Sequence, residues 1–170
     1  MKYPLLIVLL VAGNSVCLRA QDAGTRTSGT PYDSYLGPVR QTYAQLSGNT
    51  PTMDGIRSQL RTARRFRYYF DAAQPYVPQL PAVTEAKRQG DCKAKALWLI
   101  SKMGDRNSRY VIGKAKPGDR LSHAWALWPD GGSWLVLDPT LQSDVVIAEQ
   151  VRGRKWIAQY SYNGGGTYAH

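Results

Sequence analysis

The chain has 170 residues, of which 43% are apolar, 11% aromatic and 20% charged, and it carries a formal charge of +10. That length holds one compact domain rather than two, and so high an apolar share excludes wholesale disorder. With 16 Gly and 10 Pro spread without a period, collagen is excluded as well.

Met1-Lys2 is a short basic start, followed by an apolar run from Pro4 to Ala12 and then by small and polar residues up to Ala23. The run is about half of the ~20 residues that a membrane helix requires. Its place in the chain is that of a secretory signal peptide, and residues 1–20 are read as one, with cleavage after Ala20 or Ala23. The expected product is secreted or periplasmic and has no stable membrane span after processing. Of the two cysteines, Cys17 leaves with this segment and Cys92 remains, so no internal disulfide is available.

Residues 21–36 are polar and rich in Gly, Ser and Thr, and read as a mobile lead-in. Val39, Tyr43 and Leu46 predict a short helix ended by Gly48-Asn49, so that residues 21–50 form a lead-in and one helix. A second helix is predicted from Pro51-Thr52 to about Tyr69. Ile56, Leu60, Ala63 and Phe66/Phe70 lie along one face of it, and most of the arginines lie opposite. Arg57, Arg61, Arg64, Arg65 and Arg67, followed by Tyr68-Tyr69-Phe70, have the composition of a phosphate-binding, base-stacking surface. The plainer reading is a solvated basic face, because an exported protein meets anionic cell-envelope polymers or membrane surfaces rather than nucleic acid. No nucleic-acid partner is expected. Pro75, Pro78 and Pro81 then impose an extended stretch, with one helical turn at Val83–Arg88.

Gly90-Asp91-Cys92 opens the clearest helix. Ala94, Ala96, Leu97, Leu99, Ile100 and Met103 make it apolar on more than one side, and Gly104 ends it. Such a helix should be largely buried, with Lys93, Lys95 and Lys102 at its wet edge. Beyond it the apolar period changes from 3.6 to 2. Strands are predicted at Ser108–Lys114, Leu121–Trp128, Ser133–Asp138, Val145–Ala148 and Trp156–Tyr162, and Asn163–His170 reads as a flexible tail. Helices followed by an antiparallel meander define an α+β domain, here placed at residues 51–162.

Three residues carry the candidate chemistry. Cys92 starts the buried helix, where unpaired N–H groups and the helix dipole favour an anion, the nucleophilic form of a thiol. The preceding Asp91 opposes this unless its carboxylate caps the helix or faces away. His123 and His170 are the two histidines, so His123 is the internal imidazole. Asp138 ends the following strand. If Pro129–Gly132 is a four-residue loop, Trp128 pairs with Ser133 and His123 falls opposite Asp138, where the carboxylate can orient the ring. In that register Trp125, Leu127, Trp134 and Val136 share the face of His123 and Asp138 and turn toward the Cys92 helix. Of Trp98, Trp125, Trp128, Trp134 and Trp156, mostly core residues on this reading, Trp125 is expected to border the site.

Gly90-Asp91-Cys92 before an Ala/Leu helix, His123-Ala124-Trp125 in a strand, and Trp134-Leu135-Val136-Leu137-Asp138-Pro139-Thr140 after it resemble the transglutaminase-like, papain-like cysteine enzyme superfamily. The nearest likeness is to the bacterial transglutaminase-like cysteine proteinases, and it extends over residues 57–140. The resemblance implies a helix packed on an antiparallel sheet or partial barrel, with Cys92 as nucleophile, His123 as general base and Asp138 orienting the histidine. It also implies a second oxyanion donor upstream, for which Tyr69, Gln74, Gln79 and Gln89 are all open. Many bacterial members carry acidic residues just after the cysteine, some with calcium. This chain has Lys93-Ala94 there, so no metal and no cofactor are expected. The function so implied is acyl transfer on amide bonds of a protein or peptide substrate, as a peptidase or amidase or as a transglutaminase. The competing reading is a non-catalytic, basic, envelope-binding domain on the same fold.

Overall fold

The computed structural model describes residues 24–142 and 144–170; the signal-like segment and Cys17 lie outside them. The described elements are β1 (Thr25–Thr27), α1 (Gly37–Gln45), α2 (Met53–Arg64), β2 (Arg67–Tyr68), α3 (Pro81–Lys87), β3 (Gln89–Gly90), α4 (Cys92–Met103), β4 (Arg109–Lys114), β5 (His123–Asp130), β6 (Ser133–Leu137), β7 (Val146–Ile147), α5 (Ala148–Val151), β8 (Ile157–Asn163) and β9 (Gly166–Ala169). Seven strands form one antiparallel sheet in the order β1-β9-β8-β4-β5-β6-β7, and β2 pairs with β3 in parallel. The fold is α+β, as expected. Among the described residues no helix is long and apolar enough to cross a membrane.

Local signals place α4. Asp91 is its N-cap and accepts a hydrogen bond from the Ala94 N–H, while Gly104, at φ 70°, closes the C-terminus with its N–H on the Ile100 carbonyl. Ala96, Leu97, Leu99 and Ile100 are fully buried. Lys95, expected at a wet edge, is buried as well, because its ammonium donates to the Phe66 carbonyl just beyond α2, at 2.6 Å.

The sheet is buried on two sides. One face, with Tyr110, Ile112, Ala124, Ala126, Trp128, Leu135 and Leu137, joins α1, α2 and α4 in the main core. The other, with Val111, Trp125, Leu127 and Val136, packs under Ala148, Val151 and Trp156. The helix-facing side is therefore the reverse of the expected one. Strand β5 is covered on both faces, so its alternation carries no contrast to say which face meets a helix. Ala124 and Ala126 are the small residues against which a helix can approach closely.

Four further expectations are corrected. Helix α2 stops at Arg64 rather than near Tyr69, because Arg67 and Tyr68 extend to pair with Gln89 and Gly90. The hairpin between β5 and β6 has a two-residue loop: Asp130 pairs with Ser133, and Gly131 and Gly132 both take positive φ, at 57° and 105°. The tail is not frayed. Residues 166–169 form β9, held between β8 and β1, because Asn163-Gly164-Gly165-Gly166 makes a hairpin turn rather than a loose end. Val145–Ala148, read as a strand, divides into the two-residue β7 and the start of α5.

Candidate active site

Each candidate residue stands at the end of an element. Cys92 opens α4 and is 8% exposed. The carboxylate of Asp91 does not face the sulfur unopposed: it caps α4 and is ion-paired with the Lys93 ammonium. His123 opens β5 opposite Gly113 of β4. Asp138 follows β6 and is fully buried.

The His123–Asp138 contact forms although the expected register is wrong by two residues. The last ladder pair is Ala126 with Leu137, which leaves His123 diagonal to Asp138 rather than opposite it. A shift of two keeps both residues on one face, and a diagonal separation remains within reach of an imidazole. His123 Nε2 and Asp138 Oδ2 are 2.7 Å apart. Cys92 lines the same cleft as His123 and its charge acts on the ring, and with Nε2 engaged by Asp138, Nδ1 is the nitrogen left to face that cleft.

Asp138 accepts four hydrogen bonds. Oδ2 takes His123 Nε2 and Trp156 Nε1, both at 2.7 Å, and Oδ1 takes the Thr140 and Leu141 N–H groups at 2.8 and 3.1 Å. Burial alone would raise its pKa, but the hydrogen bond and charge of His123, with the Trp156 and Thr140 donors, hold it below the usual carboxylate value. Burial likewise pulls His123 down. The hydrogen bond to Asp138 and the neighbouring Cys92 side chain, with the charges of both, outweigh this and push its pKa up to about 10.

The sign of the resulting pH dependence follows. A raised histidine pKa contributes stability that is complete below the ordinary value of 6.5 and is lost as pH rises through about 10. Asp138, held low, contributes above its ordinary value of 3.8 and loses that contribution as pH falls through its lowered one. In urea unfolding, the stability gap between the unmodified protein and His123→Ala should therefore narrow from pH 6.5 to 10. A gap that stays constant or widens would contradict the pairing.

A cleft of about 560 Å³ opens onto Cys92 and His123. It is lined by Tyr32, Tyr68, Phe70, Tyr76, Leu121 and others, with Lys93 and Arg120 as its charged residues. Phe70, Tyr76 and Leu121 are exposed, so the cleft has an apolar, accessible wall.

No protein-family profile matches the chain, and no curated protein matches it in sequence. Solved structures do match in fold. Legionella pneumophila LapG superposes with a TM-score of 0.58 at 17% identity, over 76% of this chain and 74% of its own. The calcium-bound form of LapG gives 0.59 at 18% identity over the same shares, and the EGTA-treated form 0.58 at 17%, over 76% and 72%. The chain shares the fold of LapG.

Around the site of this LapG-like fold, the tryptophans take roles that differ from the sequence reading. Trp156 holds Asp138 from a left-handed conformation, φ 48°, which only the tertiary setting stabilises. Trp125 stacks against His123, with ring centroids 6.0 Å apart, but it is fully buried on the back of the sheet and does not line the cleft. The four upstream residues left open as oxyanion donors are also absent from the cleft lining. Tyr69, Gln74 and Gln79 line a neighbouring groove, and Gln89 accepts a hydrogen bond from Arg67. Among the described residues, no group of three or more His, Cys, Asp or Glu is placed to hold a metal ion.

Proposed function

We propose that the chain is an exported, cysteine-dependent acyl-transfer enzyme acting on amide bonds of proteins or peptides, with Cys92, His123 and Asp138 as its triad. The observation that carries this reading is the His123 ring, hydrogen-bonded to a fully buried Asp138 and lining one cleft with Cys92. Asp138, engaged by four donors, fixes the ring and stabilises its charge.

The sulfur of Cys92 attacks the substrate carbonyl carbon, and the carbonyl π electrons move to oxygen. The oxygen accepts the Cys92 backbone N–H, free at the first turn of α4. His123, with a pKa raised to about 10, holds a proton near neutral pH and gives it to the leaving nitrogen as the C–N bond breaks. Water then attacks the thioester, His123 takes its proton, and the C–S bond breaks to return the thiolate beside a protonated His123 and release the acid. A substrate amine in place of water would complete a transamidation. Arg120, a cation in the cleft lining, disfavours a lysine-like acceptor and supports water as the acceptor.

Iodoacetamide labelling near neutral pH tests the pair. Fast labelling of Cys92, slowed at least about 10-fold in His123→Ala, is expected. Slow labelling indifferent to His123, with salt-sensitive retention on anionic polymers through the arginines of α2, would replace the enzyme by the envelope-binding reading. A proteome-derived peptide mixture incubated beside Cys92→Ala then distinguishes new termini from new crosslinks.

A further inference from the structure

We infer that the Tyr68 hydroxyl is the second oxyanion donor of this site, completing the hole begun by the Cys92 N–H. The inference rests on the acyl-transfer reading above and assigns a residue to a task the chemistry requires. One backbone N–H leaves half of the developing charge on a tetrahedral oxygen unanswered, and a second donor must reach the same point from outside α4.

The parallel pair of β2 and β3 brings one there. Tyr68 lies beside Gly90, two residues before Cys92, and the next residue binds the same glycine through the Tyr69 N–H and the Gly90 carbonyl. Gly90 has no side chain to intervene, and a Cβ there would lie 2.7 Å from that of Ala94. Strand alternation then sorts the three aromatics. Tyr68 and Phe70 line the cleft with Cys92, whereas Tyr69 lines the adjoining groove with Gln74 and Gln79.

Other polar groups of the cleft have partners of their own: Lys93 is paired with Asp91, and the Tyr32 and Ser122 hydroxyls are hydrogen-bonded to each other at 3.2 Å. The Tyr76 ring packs against Tyr35 with centroids 5.2 Å apart, and Arg120 lies in the loop before β5. Burial, with the charges of Cys92 and Asp91, raises the Tyr68 pKa, so the hydroxyl keeps the proton it must donate.

Two probes of the same sulfur test the assignment on the full chain carrying Cys17→Ser, which leaves Cys92 as its one thiol. p-Nitrophenyl acetate acylates Cys92 through a tetrahedral oxyanion: the S–C bond forms, the ester C–O bond breaks, and p-nitrophenolate leaves. Iodoacetamide alkylates the same sulfur by displacing iodide, and no oxyanion develops. Tyr68→Phe should lower the acylation rate about 10²-fold and leave alkylation within about twofold. Tyr69→Phe should leave both unchanged. Acylation of Tyr68→Phe at the unmodified rate, or an equal loss in both reactions, would overturn the assignment while leaving the triad standing. An unmodified protein that p-nitrophenyl acetate does not acylate, or whose alkylation ignores His123→Ala, would overturn the triad and the assignment with it.

Discussion

Asp138→Asn is expected to lower acyl transfer about 10⁴-fold, as the corresponding change does in a Ser-His-Asp triad, and to destabilise the fold by about 3 kcal/mol. All four partners of this carboxylate are donors: His123 and Trp156 on Oδ2, Thr140 and Leu141 on Oδ1. An asparagine presents an NH₂ on one side in either orientation. It therefore sets donor against donor, at the ring and indole in one case and at the two backbone N–H groups in the other. Because Asp138 is fully buried, water cannot repair the mismatch. The melting temperature should fall by about 6–12 °C, taking about 2–4 °C per kcal/mol for a domain of this size. Calorimetry and the p-nitrophenyl acetate rate read the two effects separately. A variant that melts like the unmodified protein would mean that this network is not satisfied as described.

Gly113→Ala is expected to be the most damaging change that adds only one methyl group. A Cβ at Gly113 would lie 2.1 Å from the Ile157 carbonyl oxygen, 2.9 Å from the Trp125 ring and 3.0 Å from the Ala158 Cα. The nearest obstacle is backbone, which cannot rotate away. The site is also where the pairing of β4 with β8 shifts register, between Ile112 and Gly113, letting β8 close over β4. Relief would require β8 to separate from β4, at a cost of about 3 kcal/mol or more. Gly113 faces His123 across β5, so the displacement should also slow Cys92 alkylation. Gly164→Ala is the control: nothing lies within 4 Å of a Cβ there, and the change should stay within about 0.5 kcal/mol. Similar melting temperatures for the two variants would contradict the tight β4–β8 contact.

The register of the β5–β6 hairpin shows how much a right conclusion can owe to parity. The four-residue loop was wrong, yet His123 and Asp138 still meet, because the error was an even number of residues and the ring spans the diagonal. An error of one would have put the two on opposite faces. The turn itself is decided by the backbone of Gly131 and Gly132, both at positive φ, which allows two residues to reverse the chain. Pro129 and Asp130 look like turn residues and are strand residues here.

Tyr68 against Tyr69 is a different kind of miss. Their side chains line different surfaces, the cleft and the adjoining groove, at a two-residue strand that exists only because a segment more than twenty residues later pairs with it. No local period marks so short an element. The amphipathic spacing of α2 instead extended the predicted helix through it.

By themselves the amino acids determined the α+β order of elements, the limits of the Cys92 helix through Asp91 and Gly104, and the shortlist of Cys92, His123 and Asp138. Each of these rests on a signal carried by neighbours in the chain: a cap, a period, or the scarcity of a residue type. Only the tertiary structure decided which sheet face meets α4, which tyrosine lines the cleft with Cys92, and that Trp156 closes the shell around Asp138. Those choices depend on contacts between distant segments, and a strand buried on both faces or two residues long leaves no periodic trace from which to infer them.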